Sequence, residues 1–511
     1  MRIILASSSP RRKELLTKAG YDFEIIVKET DEQVNHELSV RENVKQIALK
    51  KAEVVHLDNK DAIVIGSDTI VVKDNIIYGK PNDREDAFNT LKLLNNTTHE
   101  VISGVAILYK DKVINYSKTS YVTFKNLSDD EINAYIDTGE CFGKAGSYAI
   151  QGIGSSLVDH YEGEFENIVG LPIKSVSRHL FELTTNTFKI GDIVIPNRLV
   201  LAPMAGVCNE SFRVLCKEMG AGLVMAEMVS DKAIGFKNAK TLKMTKVNNI
   251  EHPITMQIFG ADIDSLVSAA KYICEYSDAD IIDINMGCPV NKVAKKAKAG
   301  SSLLQDPNMV YEVTKAVVEA SSKPVTVKIR IGWDENNINA VENAKMIEKA
   351  GAKAITVHGR TRSQFYSGKA DYNVIKEVVE AVDIPVVGNG DVVDIVSAEN
   401  LFKTGCSAIA IGRGSLGNPF IFRELNAYFN DGTILPKPSH KEILDTIIRQ
   451  YKSLVELKGE HLALLEMRSH TTWYLKGLPN ASYVRNIICR LTSFDEVLTT
   501  LTEYFNKLDN K

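Results

Sequence analysis

The chain has 511 residues, more than one hydrophobic core accommodates, so roughly two to four domains are expected. Its 44% hydrophobic and 25% charged residues are ordinary for a soluble globular protein, and no apolar run is long enough to span a bilayer. A net charge of −4 excludes strong overall attraction to nucleic acid, though not a local basic patch, and seven cysteines without a CxxC pair argue against a disulfide framework or a zinc site.

The first segment, "MRIILASSSPRRKELL", lacks the apolar core and cleavage site of a signal peptide, so a cytoplasmic protein with reduced thiols is expected. Strand-like runs ("RIILAS", "AIVIGSDTIVV", "HEVISGVAILY") alternate with helical ones ("RRKELLTKAG", "SVRENVKQIALKKAEVVH"), which predicts an α/β domain without fixing its topology. In "LASSSPRRKELL" a strand turns through serines into a helix at Pro10, with Arg11 and Arg12 in its first turn. The helix dipole opposes cations there, so two arginines beside serine hydroxyls and free N–H groups read as an anion site. Further on come Asp31, Glu32, Lys51, Asp68 just after a strand, and Lys80. Carboxylates with lysines and an arginine pair suggest Mg²⁺ and a polyphosphate. There is no Walker loop.

At 183–190, "LTTNTFKI" interrupts the apolar periodicity and marks a boundary. Apolar runs then recur at 198–202, 222–226, 254–258, 280–284, 325–329, 354–357, 384–387 and 408–411, with amphipathic helical stretches between them. Eight such units predict a closed (β/α)8 barrel, with its active site at the C-terminal ends of the strands. After "LPKPSH" the pattern becomes purely helical.

Polar residues gather at those strand ends: Met204, Gln257, Asn285, Cys288, Lys328, Arg330, His358, Arg360 and Asn389. The "GRGSLG" at 412–417 matches GxGxxG, but it follows the eighth strand and has no acidic strand end after it, so a Rossmann reading is rejected. Its glycines, with "GNGD" at 388–391, still let backbone N–H groups approach a phosphate where barrels commonly bind one. With no carboxylate cluster for a metal, a flavin mononucleotide fits the mouth, with Gln257 and Lys328 near its polar edge. In "DINMGCPVNK" the Gly-Cys-Pro turn holds the Cys288 thiol on the rim, where a reactive group is wanted.

The segments "VLAPMAGVCN", "AEMVSDKAI", "QIFG", "DINMGCPVNKV", "KIRIGW", "VHGRTR", "GNGDV" and "IGRGSLGNP" resemble, in order, the bacterial tRNA-dihydrouridine synthases over about 188 to 511. The resemblance implies that reduced flavin passes a hydride to carbon 6 of a flipped-out uracil, with Cys288 as general acid at carbon 5 and NADPH as the reductant of the flavin. It also implies that Met204, Gln257, Lys328, His358, Asn389, Gly390, Gly412 and Arg413 hold the flavin, and that Asn285 and Arg360 contact substrate. Basic residues Arg468, His470, Lys476, Arg485 and Arg490, with Trp473 and Tyr474 among them, are expected to meet tRNA.

The segments "LASSSPRRKELL", "GSDTIVV", "GKP", "HEVISGVAI" and "KAGSYAIQGIGSSLVDHYEGEFENIVGLP" resemble the Maf family of nucleoside triphosphate pyrophosphatases over about 1 to 183. That resemblance implies hydrolysis to a monophosphate and pyrophosphate, with dTTP and UTP as substrates. It implies Ser7, Arg11, Arg12, Lys51, Lys80 and Gln151 as substrate contacts, Glu32 and Asp68 as Mg²⁺ ligands, and Asp68 as the catalytic carboxylate. In one departure, "GECFGKAG" lacks the family's usual Glu-Pro step and the Asp before the lysine.

The expected organisation is therefore an N-terminal α/β domain (1–183), a linker (184–187), a TIM barrel (188–436) and a helical tRNA-binding domain (437–511). Together they form a bifunctional enzyme with no membrane partner, and any homodimer is expected to form through the N-terminal domain. Two competing readings are a non-catalytic, septum-related regulatory module in the first half and a reductase of free pyrimidines in the second.

Overall fold

The computed structural model describes residues 2–35 and 37–509. The chain divides into two compact units, Met1–Thr184 and Thr185–Lys511. Among the described residues no helix is long and apolar enough to cross a membrane.

The first unit is built on a seven-stranded sheet. Its strands are β1 (Ile3–Leu5), β2 (Glu24–Ile25), β3 (Ile63–Lys73), β4 (Ile76–Tyr78), β5 (Thr98–Tyr109), β6 (Lys112–Phe124) and β7 (Val158–Glu162). Strands β2, β1 and β3 run parallel, whereas β3, β5, β6 and β7 form an antiparallel meander. The helix Val40–His56 is started by Ser39, whose hydroxyl accepts from the Glu42 N–H. Its buried residues Val44, Ile47, Ala48, Ala52 and Val55 recur at helical spacing. Gly66 and Gly104 let it lie flat on the sheet, since a Cβ at either would come within 2.3 Å of the Ala48 carbonyl and 2.2 Å of the Val44 carbonyl.

In the second unit, strands β10 (Leu199–Leu201), β11 (Leu223–Met225), β13 (Ile254–Phe259), β14 (Ile281–Met286), β15 (Val325–Arg330), β16 (Ala354–His358), β17 (Val386–Asn389) and β18 (Ala408–Ile411) pair in parallel. The ring closes through β10–β11, β11–β13 and β10–β18, which is the expected eight-stranded barrel. A short strand β12 (Val229–Ser230) pairs in parallel with the end of β13, Val229 opposite Ile258 and Ser230 opposite Phe259. Helices that follow β13, β14, β16 and β17 begin at Asp262, Asp306, Asp371 and Asp394, each of whose carboxylates accepts an amide of the first turn.

Alternation decides what faces inward. Along β14, Ile282, Ile284 and Met286 pack with the surrounding helices, leaving Ile281, Asp283 and Asn285 on the inner side. The inner floor is apolar, and it is plugged by a hairpin that the periodicity did not announce. Strands β8 (Phe188–Ile190) and β9 (Ile193–Ile195) bring Phe188, Ile190 and Ile195 onto Val200, Leu223, Ile281 and Val387. The polar inner residues stand above that floor.

The helices His440–Lys458, Glu460–Tyr474, Ala481–Ile488 and Phe494–Asp509 have their own core around Tyr451, Leu454, Met467, Leu501 and Phe505. They also pack on the barrel: Ser211 Oγ donates to the Gln450 carbonyl at 3.1 Å, and the Phe212 and His470 rings lie 5.1 Å apart.

Candidate active sites

At the C-terminal mouth of the barrel lies a cavity of about 700 Å³. Its wall includes Met204, Gln257, Asn285, Cys288, Lys328, His358, Asn389, Gly390, Gly412 and Arg413. It also includes Arg330, Tyr366, Asp391 and, from the helical region, Lys476.

Cys288 is buried at the wall and its turn is held from several sides. Its N–H donates to Asn285 Oδ1 at 2.9 Å, and the Gly287 N–H donates to the same oxygen at 3.1 Å. The Cys288 carbonyl accepts from Ser301 Oγ at 2.8 Å, and Arg330 Nε donates to the Gly287 carbonyl at 2.9 Å. Burial pushes the Cys288 thiol up, opposed by a backbone hydrogen bond at Val290 and by the Arg330 charge. The group is therefore a protonated thiol at neutral pH, able to give a proton.

Opposite in character are the cations. Lys328 Nζ donates to Asn389 Oδ1 at 3.1 Å, and Asn389 Nδ2 donates to the Ala410 carbonyl at 2.7 Å. Burial first, then Arg330, bring Lys328 down to about 8, against the pull of Asp283. Burial and the charges of Lys328, Arg330, Arg360 and Arg413 hold His358 far below its ordinary value, so it is neutral. The exposed Tyr366 ring lies under two guanidinium groups, 5.7 Å from Arg330 and 5.1 Å from Arg413.

The wall thus carries Lys328, Arg330, Arg413 and Lys476 against one carboxylate, Asp391. Arg413 meets Asp391 at 3.2 Å and Lys476 is exposed, but Lys328 and Arg330 are buried with neutral hydrogen-bond partners, and such cations favour an anionic ligand. The size and the donor set fit the flavin mononucleotide expected from the sequence.

Arg360 and Asn285, the two residues expected to contact substrate here, are largely engaged with the protein itself. Arg360 does not line the cavity: it is 2% exposed and donates to Asp391 and to the Ser367 and Gly368 carbonyls, bracing the loops behind the wall. Asn285 does line it, but its carbonyl is spent on the Cys288 turn and its amide donates to Gln257 Oε1 at 2.8 Å. The second amide hydrogen faces Met228 Sδ at 3.5 Å. Of the residues expected to meet RNA, His470 and Tyr474 are buried, and burial brings His470 down to about 4. They serve packing because they point between helices, whereas Lys476 and Arg490 are exposed.

The first unit holds a second cavity, of about 620 Å³, lined by Ser7, Arg11, Arg12, Glu32, Lys51, Asp68 and Lys80. Lys51 Nζ lies 2.8 Å from Asp68 Oδ1 and 3.0 Å from Glu32 Oε1. Arg12 is largely spent on the protein: Nε donates to the Gly170 carbonyl at 2.9 Å, Nη1 to Ser7 Oγ at 3.0 Å and Nη2 to Thr69 Oγ1 at 3.2 Å. Arg11 and Lys144, both lowered chiefly by burial, make no such bonds among the described residues and converge with Lys80 on the same space. Gln151 is exposed and lies outside the wall, because the loop is turned by Glu140, which accepts from the Ile153 and Gly154 N–H groups at 3.1 and 2.8 Å.

Among the described residues no group of three metal-ligating side chains exists. Mg²⁺, however, is commonly held by one or two carboxylates together with substrate phosphates. The Asp68 and Glu32 pair, bridged meanwhile by Lys51, fits that use.

Sequence reasoning passed over Tyr366, Lys144 and Asp283. The first two carry no local signal, since only the fold brings them to a cavity. Asp283 did carry one: an acid on the inner alternation of an otherwise apolar strand.

A family model described as dihydrouridine synthase matches residues 200–509, and one described as Maf-like protein matches residues 2–183. The chain is 41% identical over 323 residues to "tRNA-dihydrouridine synthase B" of Pseudomonas aeruginosa, covering 63% of this chain and 97% of that protein. It is 38% identical over 322 residues to "Probable tRNA-dihydrouridine synthase" of Rickettsia conorii, covering 63% of this chain and 97% of that one. An old yellow enzyme homologue from Zymomonas mobilis superposes with a TM-score of 0.36 at 14% identity, over 51% of this chain and 95% of that one, too distant a likeness to bear on function.

Proposed function

Because the chain belongs to the dihydrouridine synthase family, we propose that its barrel reduces uridine to 5,6-dihydrouridine in tRNA, with flavin mononucleotide as cofactor and NADPH as reductant. The observation that carries this reading is the Cys288 thiol, its turn held by Asn285 and Ser301, on the wall of a cavity whose other charged lining is almost wholly cationic. Reduced flavin, when bound, supplies the hydride for carbon 6 of the uracil. Lys328, Arg330 and Arg413 offset its negative charge, and neutral His358 and the Gln257 and Asn389 amides orient its polar edge. Cys288 delivers the proton to carbon 5. The base must leave its stack to come within reach, at a cost on the order of a few kcal/mol. Exposed Lys476 and Arg490 of the helical region are suited to the RNA backbone.

The test begins with the visible absorption spectrum of the purified protein, followed anaerobically with NADPH. The expected result is a bound flavin that bleaches, and tRNA uridine reduction that falls about 10²–10⁴-fold in Cys288→Ala. A colourless protein that cannot be reconstituted with flavin mononucleotide would overturn the reading.

For the first unit, the match to the Maf-like model supports hydrolysis of a nucleoside triphosphate, dTTP or UTP in our reading, to monophosphate and pyrophosphate. Arg11, Lys80 and Lys144 are suited to the phosphates. Asp68 and Glu32 would hold Mg²⁺, with Asp68 next to the attacking water. Convergence of these groups in one cavity favours an enzyme over a purely regulatory module. Pyrophosphate release with Mg²⁺ should be lost in Asp68→Asn; release unchanged by that substitution removes Asp68 from the chemistry.

A further inference from the structure

Behind the wall, below Cys288, lies a run of side chains that the expected roles leave unexplained. Asp283 is 0% exposed, on the inner face of β14, one tier below Asn285. The register places it level with Gln257 on β13 and Thr326 on β15. Thr326 Oγ1 donates to Asp283 Oδ1 at 2.7 Å, and Gln257 Nε2 donates to Asp283 Oδ2 at 2.7 Å. Gln257 Oε1 then accepts from Asn285 Nδ2 at 2.8 Å, and Asn285 Oδ1 accepts from the Cys288 N–H at 2.9 Å.

We propose that Asp283 is a positioning residue for the Cys288 thiol, acting through the amides of Gln257 and Asn285. The inference rests on the reading of Cys288 as proton donor. An ionised carboxylate only accepts hydrogen bonds, so it fixes which end of the Gln257 amide faces it. That leaves the Gln257 carbonyl toward Asn285, which fixes the Asn285 amide in turn. The Asn285 carbonyl is thereby aimed at the N–H groups of Gly287 and Cys288, closing the turn that carries the thiol. A polar chain in a dry interior has few alternatives, because each reversed amide sets donor against donor. Burial pushes the Asp283 carboxyl up to about 6, and the hydrogen bonds from Gln257 and Thr326, then the Lys328 charge, keep it from rising further.

Asp283→Asn tests this directly. An asparagine can meet Gln257 with its carbonyl, turning its amide to a rotated Thr326 hydroxyl, or with its amide, so the charge that allowed only one Gln257 orientation is gone and the aim of the Asn285 carbonyl is loosened. The readout is the rate of Cys288 alkylation by iodoacetamide against pH, followed on the Cys288 peptide by mass in the full-length protein, with uridine reduction measured in parallel. The expected result is a pH profile displaced from wild type, alkylation at least fivefold faster at neutral pH, and uridine reduction at least tenfold slower. The double variant Asp283→Asn with Gln257→Glu restores the donor order at the same net charge, and should bring alkylation back to within threefold of wild type. Should Asp283→Asn fail to fold, Thr326→Val, which removes one donor to the carboxylate, should displace the alkylation profile in the same direction by a smaller amount. An unchanged profile in the folded single variant, or a double variant that restores nothing, overturns the proposal. Failure of the wild type to reduce uridine would instead strike the function, and the alkylation comparison would still judge the relay.

Discussion

Lys328 shows how a buried charge becomes a pH dependence. It donates to a neutral carbonyl, that of Asn389, and burial with Arg330 beside it brings it to about 8. An anionic ligand binds the protonated form, so the contribution of Lys328 to affinity is full below that value and declines as pH rises through it, by at most about tenfold per unit. Titration of flavin mononucleotide from pH 7 to 9 should show this decline, and Lys328→Met should weaken binding and remove the slope. Arg11 and Arg12, adjacent in sequence, should separate by a different measurement. Arg12 holds three neutral acceptors that a lysine cannot reach together, so Arg12→Lys should cost about 1.5–3 kcal/mol in urea unfolding of the first unit. Arg11→Lys should leave that stability nearly unchanged and raise KM for the nucleotide. Nothing in "SPRRKELL" distinguishes the two, because which arginine turns inward is set by the helix's rotation against Gly170 and Thr69.

Among the elements, the long helix Val40–His56 is seated close to its sheet, since Gly66 and Gly104 admit its backbone onto β3 and β5. Gly66→Ala or Gly104→Ala should force helix and sheet apart and lower stability by about 1–3 kcal/mol, read as a shift of the urea midpoint. The eight barrel strands were legible because each is a short apolar run followed by an amphipathic helix, a pattern that parallel strands buried on both faces produce. The hairpin β8–β9 was not, since "FKIGDIVI" looks like one more strand and only a barrel floor in need of filling explains it. In the helical region the basic and aromatic residues between Met467 and Phe494 were legible as a set. Their sorting into core (His470, Tyr474) and surface (Lys476, Arg490) depends on packing against the barrel.

On the scale of the whole molecule, each unit has a hydrophobic core of its own: one around Leu5, Ile65, Val105 and Leu180, the other around Val224, Ile284, Val327 and Ile409. Calorimetry should therefore resolve two unfolding transitions. A nucleotide should raise only one and flavin mononucleotide only the other, each by mass action on the unit that binds it. A single transition that both ligands shift would show that the units unfold together.

The sequence alone determined the barrel and set most of the candidate groups at strand ends and helix starts, because strand period, cap residues and the ends of barrel strands are properties of local order. Only the tertiary structure decided which of those groups face a ligand. Arg360 and Gln151 fell outside, Tyr366, Lys144 and Lys476 came in, and Asp283 moved beneath the thiol's turn. Such assignments turn on which donors and acceptors meet across strands distant in sequence, and a hydrogen bond has no sequence period.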